Sequence, residues 1–254
     1  MNKSQKEKGI YNHPQLYDDI MWWKKDDVDF WIKIIEKFKS KSILELCCGT
    51  GRIGLQLINK KIDYKGIDNS AKFINFFKKK VNKEYAENIL CQDIRNFNLN
   101  QKFDLIFIGF NSLAHLLSNQ NFNETLDKIK IHMHSKSLFI IDMFVPHPNF
   151  LYRENNDKMN IMDFIDSNSN EKITIYESIE YDCENEINSI YWEFFNSKNK
   201  KIYDYNFKMR MYFPDTINRI LIENNMDIIG FYGDYNLSYF NENSQKQIYI
   251  CSIK

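Results

Sequence analysis

The sequence predicts an α/β fold in which a doubly wound, mostly parallel sheet carries helices on both faces. Three observations support this prediction. Short apolar runs of strand length alternate with helical patterns from residue 42 to residue 144. A glycine turn directly follows the first of these runs. The run at 103–109 is apolar enough to be buried on both faces, as strands of a parallel sheet are.

Composition limits the functional classes. The 254 residues are 43% hydrophobic and 27% charged, which fits one large domain with an appended subdomain. Lys+Arg and Asp+Glu are both 34, and this balance disfavours a nucleic-acid partner, which usually requires a basic face. The polar N-terminus does not resemble a signal peptide, and no apolar run approaches the roughly 20 residues of a membrane span. We therefore expect a cytoplasmic protein with no membrane partner.

The five cysteines have no metal-type spacing, and Cys47 and Cys48 are adjacent rather than arranged as C-x-x-C. The sequence therefore predicts no metal site and a reducing compartment.

The first half of the chain reads as two helices followed by strand–helix units. Helices are predicted near 14–23 and from a cap at Asp26. A strand at 42–47 precedes the glycine turn and a helix to about residue 59. A second strand ends in Asp68, and Asn69 or Ser70 caps the next helix. Further strands are predicted at 89–91, 103–109 and 137–144, and Asn121 with Glu124 is predicted to cap the helix before the last of these.

The alternation stops after residue 144. Three consecutive strands at 172–181, 187–195 and 202–211 predict an inserted antiparallel β subdomain. Pro214 begins a helix, and two strands near 227–235 and 245–253 form an antiparallel C-terminal hairpin, which completes a seven-stranded sheet. The predicted domains are N-terminal helices at 1–40, an α/β domain built on the seven-stranded sheet at 41–144 and 214–254, and the inserted β subdomain at 145–213.

The glycine turn has three interpretations. Gly49-x-Gly51-x-x-Gly54 matches the dinucleotide fingerprint. Glu45 instead favours S-adenosylmethionine, because a carboxylate suits an ammonium and a sulfonium but repels a pyrophosphate. The third interpretation is a tight βα turn without a ligand.

Two more acids follow strand ends. Asp68 lies 19 residues after Gly49, where the dinucleotide pattern places a ribose-binding acid at about 20. Asp93 follows the third strand, where its carboxylate can accept from an adenine amino group while the Ile94 N–H meets the ring. The alternatives are an acid at a helix N-terminus for Asp68 and a surface turn for Asp93.

Together these segments resemble a known family. Residues 44–52, 66–68, 91–94 and 103–106 are similar to successive motifs of class I S-adenosylmethionine-dependent methyltransferases, whose sheet is Rossmann-like. Residues 111–116, 213–214, 231–235 and 244–248 resemble later segments of small-molecule members, such as glycine/sarcosine N-methyltransferases and amino-sugar N,N-dimethyltransferases. One departure is Cys47, which replaces the usual first glycine of the motif.

The resemblance implies site residues. Glu45 and the backbone from Cys47 through Gly49 to Gly51 would hold the methionine moiety. Arg52 would either meet the cofactor carboxylate or lie on the helix surface. Asp68 would bind the ribose, Asp93 and Ile94 would bind the adenine, and Asn69 is a further cofactor-binding residue. Tyr17 would cover the cofactor from the N-terminal helices at 1–40, and Phe110 would lie beside the methyl group. The inserted subdomain at 145–213 would form the substrate lid.

Candidate residues for catalysis and for binding the methyl acceptor are less clearly indicated by the sequence than those for the cofactor. His115 is the candidate general base, with core packing as its alternative, and Asn111 joins it near the methyl group. Candidate acceptor-binding residues are Tyr11, Phe144, Arg210 and Tyr232; for Arg210 a salt bridge to a nearby acid is an equal alternative.

The sequence therefore predicts an S-adenosylmethionine-dependent methyltransferase (EC 2.1.1.-) that acts on a small-molecule amine, as a monomer or homodimer. The alternatives are an RNA or protein methyltransferase, an NAD-dependent oxidoreductase, and a non-catalytic cofactor-binding subunit.

Overall fold

The computed structural model describes residues 9–153 and 158–254, which form two compact units. The smaller unit contains the described part of the chain up to Lys24 together with Pro146–Met211. The larger unit contains Lys25–Val145 and Tyr212–Lys254.

Elements are numbered in chain order. The helices are α1 (Pro14–Ile20), α2 (Asp26–Phe38), α3 (Gly54–Asn59), α4 (Ala71–Lys78), α5 (Lys83–Ala86), α6 (Asn119–Ile131), α7 (Pro148–Leu151) and α8 (Pro214–Glu223). The strands are β1 (Ser42–Leu46), β2 (Asp63–Asp68), β3 (Ile89–Cys91), β4 (Phe103–Ile108), β5 (Met133–Phe144), β6 (Met159–Ile165), β7 (Lys172–Asp182), β8 (Ile187–Asn196), β9 (Lys201–Arg210), β10 (Met226–Tyr232) and β11 (Lys246–Ile253). Short 3₁₀ turns lie at Ile10–Asn12 and Ser112–His115.

The larger unit is built on a seven-stranded sheet in the order β10-β11-β5-β4-β1-β2-β3. β1 pairs in parallel with both β2 and β4, and β5 continues the parallel set beside β4. β11 runs antiparallel to both β5 and β10. The predicted doubly wound α/β fold with an antiparallel C-terminal hairpin is confirmed. From β1 the chain first builds the sheet in one direction, through β2 and β3, and then in the other, from β4 onward. The carboxyl ends of β1 and β4 therefore border the crevice where such sheets bind ligands.

Helix α2 packs on this sheet through the apolar side chains that recur at helical spacing. Trp31 is fully buried and stacks on Phe107 of β4, with ring centroids 4.1 Å apart. Phe30 lies against the same indole at 4.9 Å. The burial of these rings fixes α2 against the centre of the sheet, which matters for the site because α2 begins with Asp26 and Asp27.

The helix caps follow the predicted chemistry at one of three positions. The prediction that Asp26 caps α2 is wrong, because the helix begins at Asp26 itself and Lys25 occupies the N-cap position. Ser70 caps α4 by accepting the Phe73 N–H at 3.2 Å, as expected. The prediction that Asn121 caps α6 is wrong, because Ser118 accepts the Asn121 N–H at 3.1 Å and the helix begins at Asn119. Both residues are good N-caps, and the earlier one lies where the chain leaves its extended conformation.

The smaller unit is a four-stranded antiparallel sheet in the order β6-β7-β8-β9. Its last three strands were predicted, whereas β6 was not, because the run from Met159 mixes polar and apolar residues without clear alternation. Helix α1 packs on this sheet through Leu16 and Ile20, which cluster with residues of several strands, namely Phe164, Ile173, Ile175, Phe194 and Tyr205.

Among residues 9–153 and 158–254, no helix combines the length and apolar character that crossing a membrane demands.

Candidate active site

The site is organised by the turn at residues 47–51, which we call the glycine turn. Cys48 N–H donates to the Ile67 carbonyl of β2, and Gly51 N–H donates to the Cys48 carbonyl, both at 3.0 Å. Cys47 has φ 59° and Gly51 has φ 87°, in the left-handed region. A Cβ on Gly51 would come within 2.2 Å of the Phe77 ring of α4. Glycine is therefore required at position 51, whereas Cys47 holds a conformation that glycine would adopt with less strain.

Asp68 fixes the glycine turn to the next strand. Its carboxylate accepts the Gly49 N–H at 2.9 Å and the Ser70 N–H at 2.8 Å. Burial raises the pKa of Asp68, while the two N–H donors oppose that change. The side chain therefore lies between the turn after β1 and the N-terminus of α4, at the strand end predicted to bind a ribose.

Glu45 lies on β1 with only 4% of its surface exposed. Burial raises the pKa of this carboxyl to about 8, against the opposing effects of the Tyr64 hydrogen bond and Arg52. The Tyr64 hydroxyl donates to Glu45 Oε2 at 2.6 Å. Tyr64 was not predicted as a site residue, because its position in β2 gives no sequence signal for this contact.

The thiol of Cys47 stays protonated in this environment. Burial raises its pKa well above the ordinary value, and the carboxylates of Asp68 and Glu45 raise it further. A protonated thiol is a weak nucleophile. Burial, and to a smaller extent the nearby acids, thus suppress the reactivity of the thiol that replaces the usual first glycine of the motif.

Arg52 binds a protein carboxylate. Its guanidinium makes a bidentate pair with Asp27 of α2, at 2.5 and 2.7 Å, and Asp27 is fully buried. The same guanidinium lies over the Phe110 ring at 5.0 Å. Arg52 therefore links the glycine turn to α2 and to the segment after β4. Asp27 was missed because three acids lie in the first turn of α2 and the sequence does not distinguish them.

The residues after β2 and β3 occupy the edge of the sheet beyond Asp68. Gln92 N–H donates to the Asp68 carbonyl at 3.1 Å, which holds the β3 end beside β2. Asp93 accepts its neighbour's guanidinium, with Arg95 Nε at 2.9 and 3.1 Å from the two oxygens. Ile94 is buried and Asn69 is exposed.

The segment after β4 carries the residues predicted to lie near the methyl group. Phe110 and Asn111 both have positive φ, 50° and 64°. Asn111 Oδ1 accepts the Phe144 N–H at 2.7 Å, so the Asn111 side chain fastens this turn to the end of β5. The exposed His115 closes the following 3₁₀ turn.

Asp142 of β5, which was not predicted as a site residue, binds the backbone of the turn at Phe110 and Asn111. Its Oδ2 accepts the Phe110 N–H at 3.1 Å and the Tyr235 hydroxyl at 2.9 Å, while its backbone carbonyl accepts the Asn111 N–H at 3.1 Å. Lys246 Nζ lies 3.9 Å from Oδ1 and 4.3 Å from the centre of the Tyr235 ring. Burial raises the pKa of Asp142, and Lys246 counters this effect. The signal was present in the sequence, because Asp142 is the one acid in the apolar run of β5.

The remaining predicted site residues, three acceptor contacts and the cofactor cover Tyr17, are placed as follows. Tyr232 is half-buried against the core of the larger unit and stacks with Tyr239 at 5.6 Å. Tyr11 and Tyr17 belong to the smaller unit, where their rings lie 6.1 Å apart. Arg210 is also in the smaller unit and pairs with Glu186 at 3.1 Å.

Comparisons with known proteins agree with this arrangement. Residues 43–135 match the family described as "Methyltransferase domain". The chain is 29% identical over 142 residues to "Putative methyltransferase YqeM" of Bacillus subtilis (strain 168), covering 55% of this chain and 56% of that protein. It is 22% identical over 134 residues to a glycine/sarcosine N-methyltransferase of Aphanothece halophytica, covering 50% and 51%. The chain spans about half the length of the curated relatives it matches.

A solved structure extends the likeness of fold to nearly the whole chain. The S-adenosylmethionine-dependent methyltransferase from Clostridium acetobutylicum ATCC 824 superposes with a TM-score of 0.75 at 22% identity, covering 94% of this chain and 96% of that one. The match over residues 43–135 confirms the resemblance to the class I S-adenosylmethionine-dependent methyltransferases.

The raised pKa of Glu45 predicts a pH-dependent stability. Between the ordinary pKa of 4.5 and about 8, the unfolded chain releases this proton while the folded protein keeps it. Stability therefore falls as pH rises through this range, with a slope from this group of at most about 1.4 kcal/mol per pH unit. We expect Glu45→Gln to become progressively more stable than wild type from pH 5 to pH 8, measured by urea unfolding. Glu84→Gln, at an exposed glutamate, is the control, and a pH-independent difference for Glu45→Gln would contradict the prediction.

The Asp142 contacts predict a specific loss of stability. Tyr235→Phe removes one hydrogen bond to a buried carboxyl group and should lower the free energy of unfolding by about 1–3 kcal/mol. The control, Tyr239→Phe, also removes a tyrosine hydroxyl, but from a residue that is 79% exposed, and should change the free energy of unfolding little. Equal unfolding free energies for the two variants would show that the Tyr235 hydroxyl does not stabilise the Asp142 cluster.

Proposed function

We infer that this protein is an S-adenosylmethionine-dependent methyltransferase that moves a methyl group to a nitrogen atom of a small-molecule acceptor. The observation that carries this inference is the pair of acids at adjacent strand ends, Glu45 and Asp68, on either side of a glycine turn with left-handed backbone. The family match over residues 43–135 supports the same reaction class.

The residues present fit this cofactor. Glu45 supplies an acid for the ammonium end, and the Asp68 carboxylate has lone pairs left for ribose hydroxyls after accepting two N–H groups. Asp93 and Ile94 lie after β3, where the resemblance puts the adenine. We assign the Phe110 ring to the wall beside the methyl group; the Arg52 guanidinium lies over the ring, and the Phe110 backbone N–H donates to Asp142. The assignments of Asn69 and Tyr17 to the cofactor remain predictions.

When bound, the cofactor supplies an electrophilic methyl group on a positively charged sulfur, and the amine lone pair displaces the sulfur in line. The protein then has to orient the acceptor, exclude water and receive the proton that the amine loses. We assign proton acceptance to His115, whose side chain is exposed after β4, and orientation of the turn to Asn111 through its bond to Phe144. Tyr11, Phe144, Arg210 and Tyr232 stay predicted acceptor contacts.

An amine acceptor is supported by the name of one relative, a glycine/sarcosine N-methyltransferase. A dinucleotide is disfavoured, because the Gly49 N–H that would face a pyrophosphate is occupied by Asp68, and Glu45 would add repulsion if ionised. The formal net charge of zero disfavours RNA. The five free cysteines support a reducing, cytoplasmic setting.

Calorimetric titration tests the cofactor assignment. We expect S-adenosylmethionine and S-adenosylhomocysteine to bind wild type with micromolar affinity and NAD not to bind. Asp68→Asn, which keeps an acceptor for the Gly49 N–H but loses the charge, should weaken binding by about tenfold or more. Asp63→Ala alters the exposed opposite end of the same strand and should bind as wild type does. Binding of NAD alone would instead indicate an oxidoreductase.

Transfer of a labelled methyl group tests catalysis. Glycine, sarcosine, ethanolamine and an amino sugar form the first panel, with a short RNA and a protein extract as contrasts. Label on a small amine supports the proposal, and label on RNA or protein alone overturns the acceptor class. Tight cofactor binding with no transfer to any of these would indicate a non-catalytic binding subunit.

A further inference from the structure

A cavity of about 450 Å³ lies within the smaller unit. It is lined by the end of α1, by Trp22 just after that helix, by the end of β6 and by the start of β7. Its volume falls in the range of roughly 300–1,000 Å³ that is typical of small-molecule sites. None of its lining residues has a role in the proposed methyl transfer, so the cavity requires an explanation of its own.

The apolar part of the cavity consists of one buried ring and two side chains that are open to solvent. Phe164 is 3% exposed and belongs to the core between α1 and the sheet. Trp22 and Ile165 are 59% and 55% exposed and line the same cavity. Large apolar side chains that are exposed together at one concave surface, rather than scattered singly, are typical of a binding site.

The polar part of the cavity carries negative charge. Three aspartates line it, namely Asp18, Asp19 and Asp163. Among the described lining residues Lys172 is the one cation, so three carboxylates against one ammonium give the lining a formal net charge of −2. Asp19 Oδ2 accepts the backbone N–H and the hydroxyl of Ser167, both at 2.9 Å. These neutral donors fix the Asp19 carboxylate without compensating its charge.

Lys172 is already paired with one of the three acids. Its Nζ lies 2.8 Å from Asp163 Oδ2, and the Thr174 hydroxyl donates to Asp163 Oδ1 at 2.7 Å. The hydrogen bond from Lys172 lowers the pKa of Asp163, so this carboxylate is ionised at neutral pH. Because Lys172 and Asp163 balance each other, the charges of Asp18 and Asp19 set the sign of the field in the cavity.

We propose that this cavity binds an organic cation whose charged nitrogen carries alkyl groups. The Trp22 ring supplies a π system that attracts such a cation, and Ile165 and Phe164 contact its alkyl groups. The carboxylates of Asp18 and Asp19 supply the opposite charge. They repel an anion, and a neutral apolar molecule would desolvate them without compensation. This proposal does not depend on the proposed methyl transfer.

The first test follows the indole N–H resonance of Trp22 in an NMR spectrum of the whole protein, identified by its loss in Trp22→Ala. Choline is the cationic probe, and the alcohol in which a quaternary carbon replaces its charged nitrogen is the neutral counterpart. We expect choline to move the resonance with a saturable curve and to bind about tenfold or more tightly than the alcohol. Added sodium chloride should weaken choline binding, because it screens the exposed carboxylates.

Calorimetric titration of two variants tests the location. Trp22→Ala should weaken choline binding by about tenfold. Trp23→Ala removes the adjacent tryptophan, which is 47% exposed and does not line the cavity, and should bind choline as wild type does.

Three results would overturn the proposal: equal choline binding by the two variants, equal affinity of wild type for choline and the alcohol, or no movement of the Trp22 resonance. Tighter binding of a tetralysine peptide than of choline would also overturn it and would indicate a docking site for a basic protein segment. None of these measurements uses S-adenosylmethionine, so the methyltransferase assignment stands or falls separately.

Discussion

The carboxylate of Asp68 is the contact on which the rest of the site depends. It binds the Gly49 and Ser70 N–H groups at once, so that one side chain fixes both the glycine turn and the start of α4 to the end of β2. Two features make this geometry possible. Left-handed backbone at Cys47, Gly49 and Gly51 turns the chain tightly after β1, and the missing Cβ of Gly51 leaves room for the Phe77 ring of α4. The positions of Glu45, Arg52 and Phe110 then follow from the strands and helices that meet at this turn.

Burial of acids at the ends of β1, β2 and β5 determines the electrostatic character of the site. Burial raises the pKa values of Glu45, Asp68 and Asp142. For each of them, a nearby hydrogen-bond donor or cation partly opposes this increase. A cation beside these acids would favour their ionised forms, whereas a pyrophosphate would oppose ionisation, so the site is better suited to a cationic ligand. Arg52 does not reverse this character, because its charge is compensated by Asp27 in a bidentate pair. Burial, with a further effect from the nearby acids, raises the pKa of the Cys47 thiol and keeps it protonated, which explains how a thiol is compatible with this position.

The sequence was sufficient for the parts of the molecule that follow local rules. The strand–turn–helix unit, the acid at the end of β2 and the Ser70 cap are dictated by periodicity, glycine and capping chemistry, and the structure has them as predicted. The sequence was insufficient to predict contacts in which the partner residue comes from a distant part of the chain. The contact of Tyr64 with Glu45 joins two strands, and that of Arg52 with Asp27 joins a helix start to a turn. Asp142 could have been found, since an isolated acid in a buried apolar strand requires partners, whereas β6 lacks the alternation that identifies a strand.

The most direct test of the account is a crystal structure of the protein with S-adenosylhomocysteine. The account predicts the ribose hydroxyls within hydrogen-bond distance of Asp68, the amino-acid end beside the glycine turn on the Glu45 side, and the Gly49 N–H still bound to Asp68. A product molecule seated elsewhere, or one that leaves Asp68 without a ligand contact, would contradict the claim that this carboxylate both builds the turn and binds the cofactor.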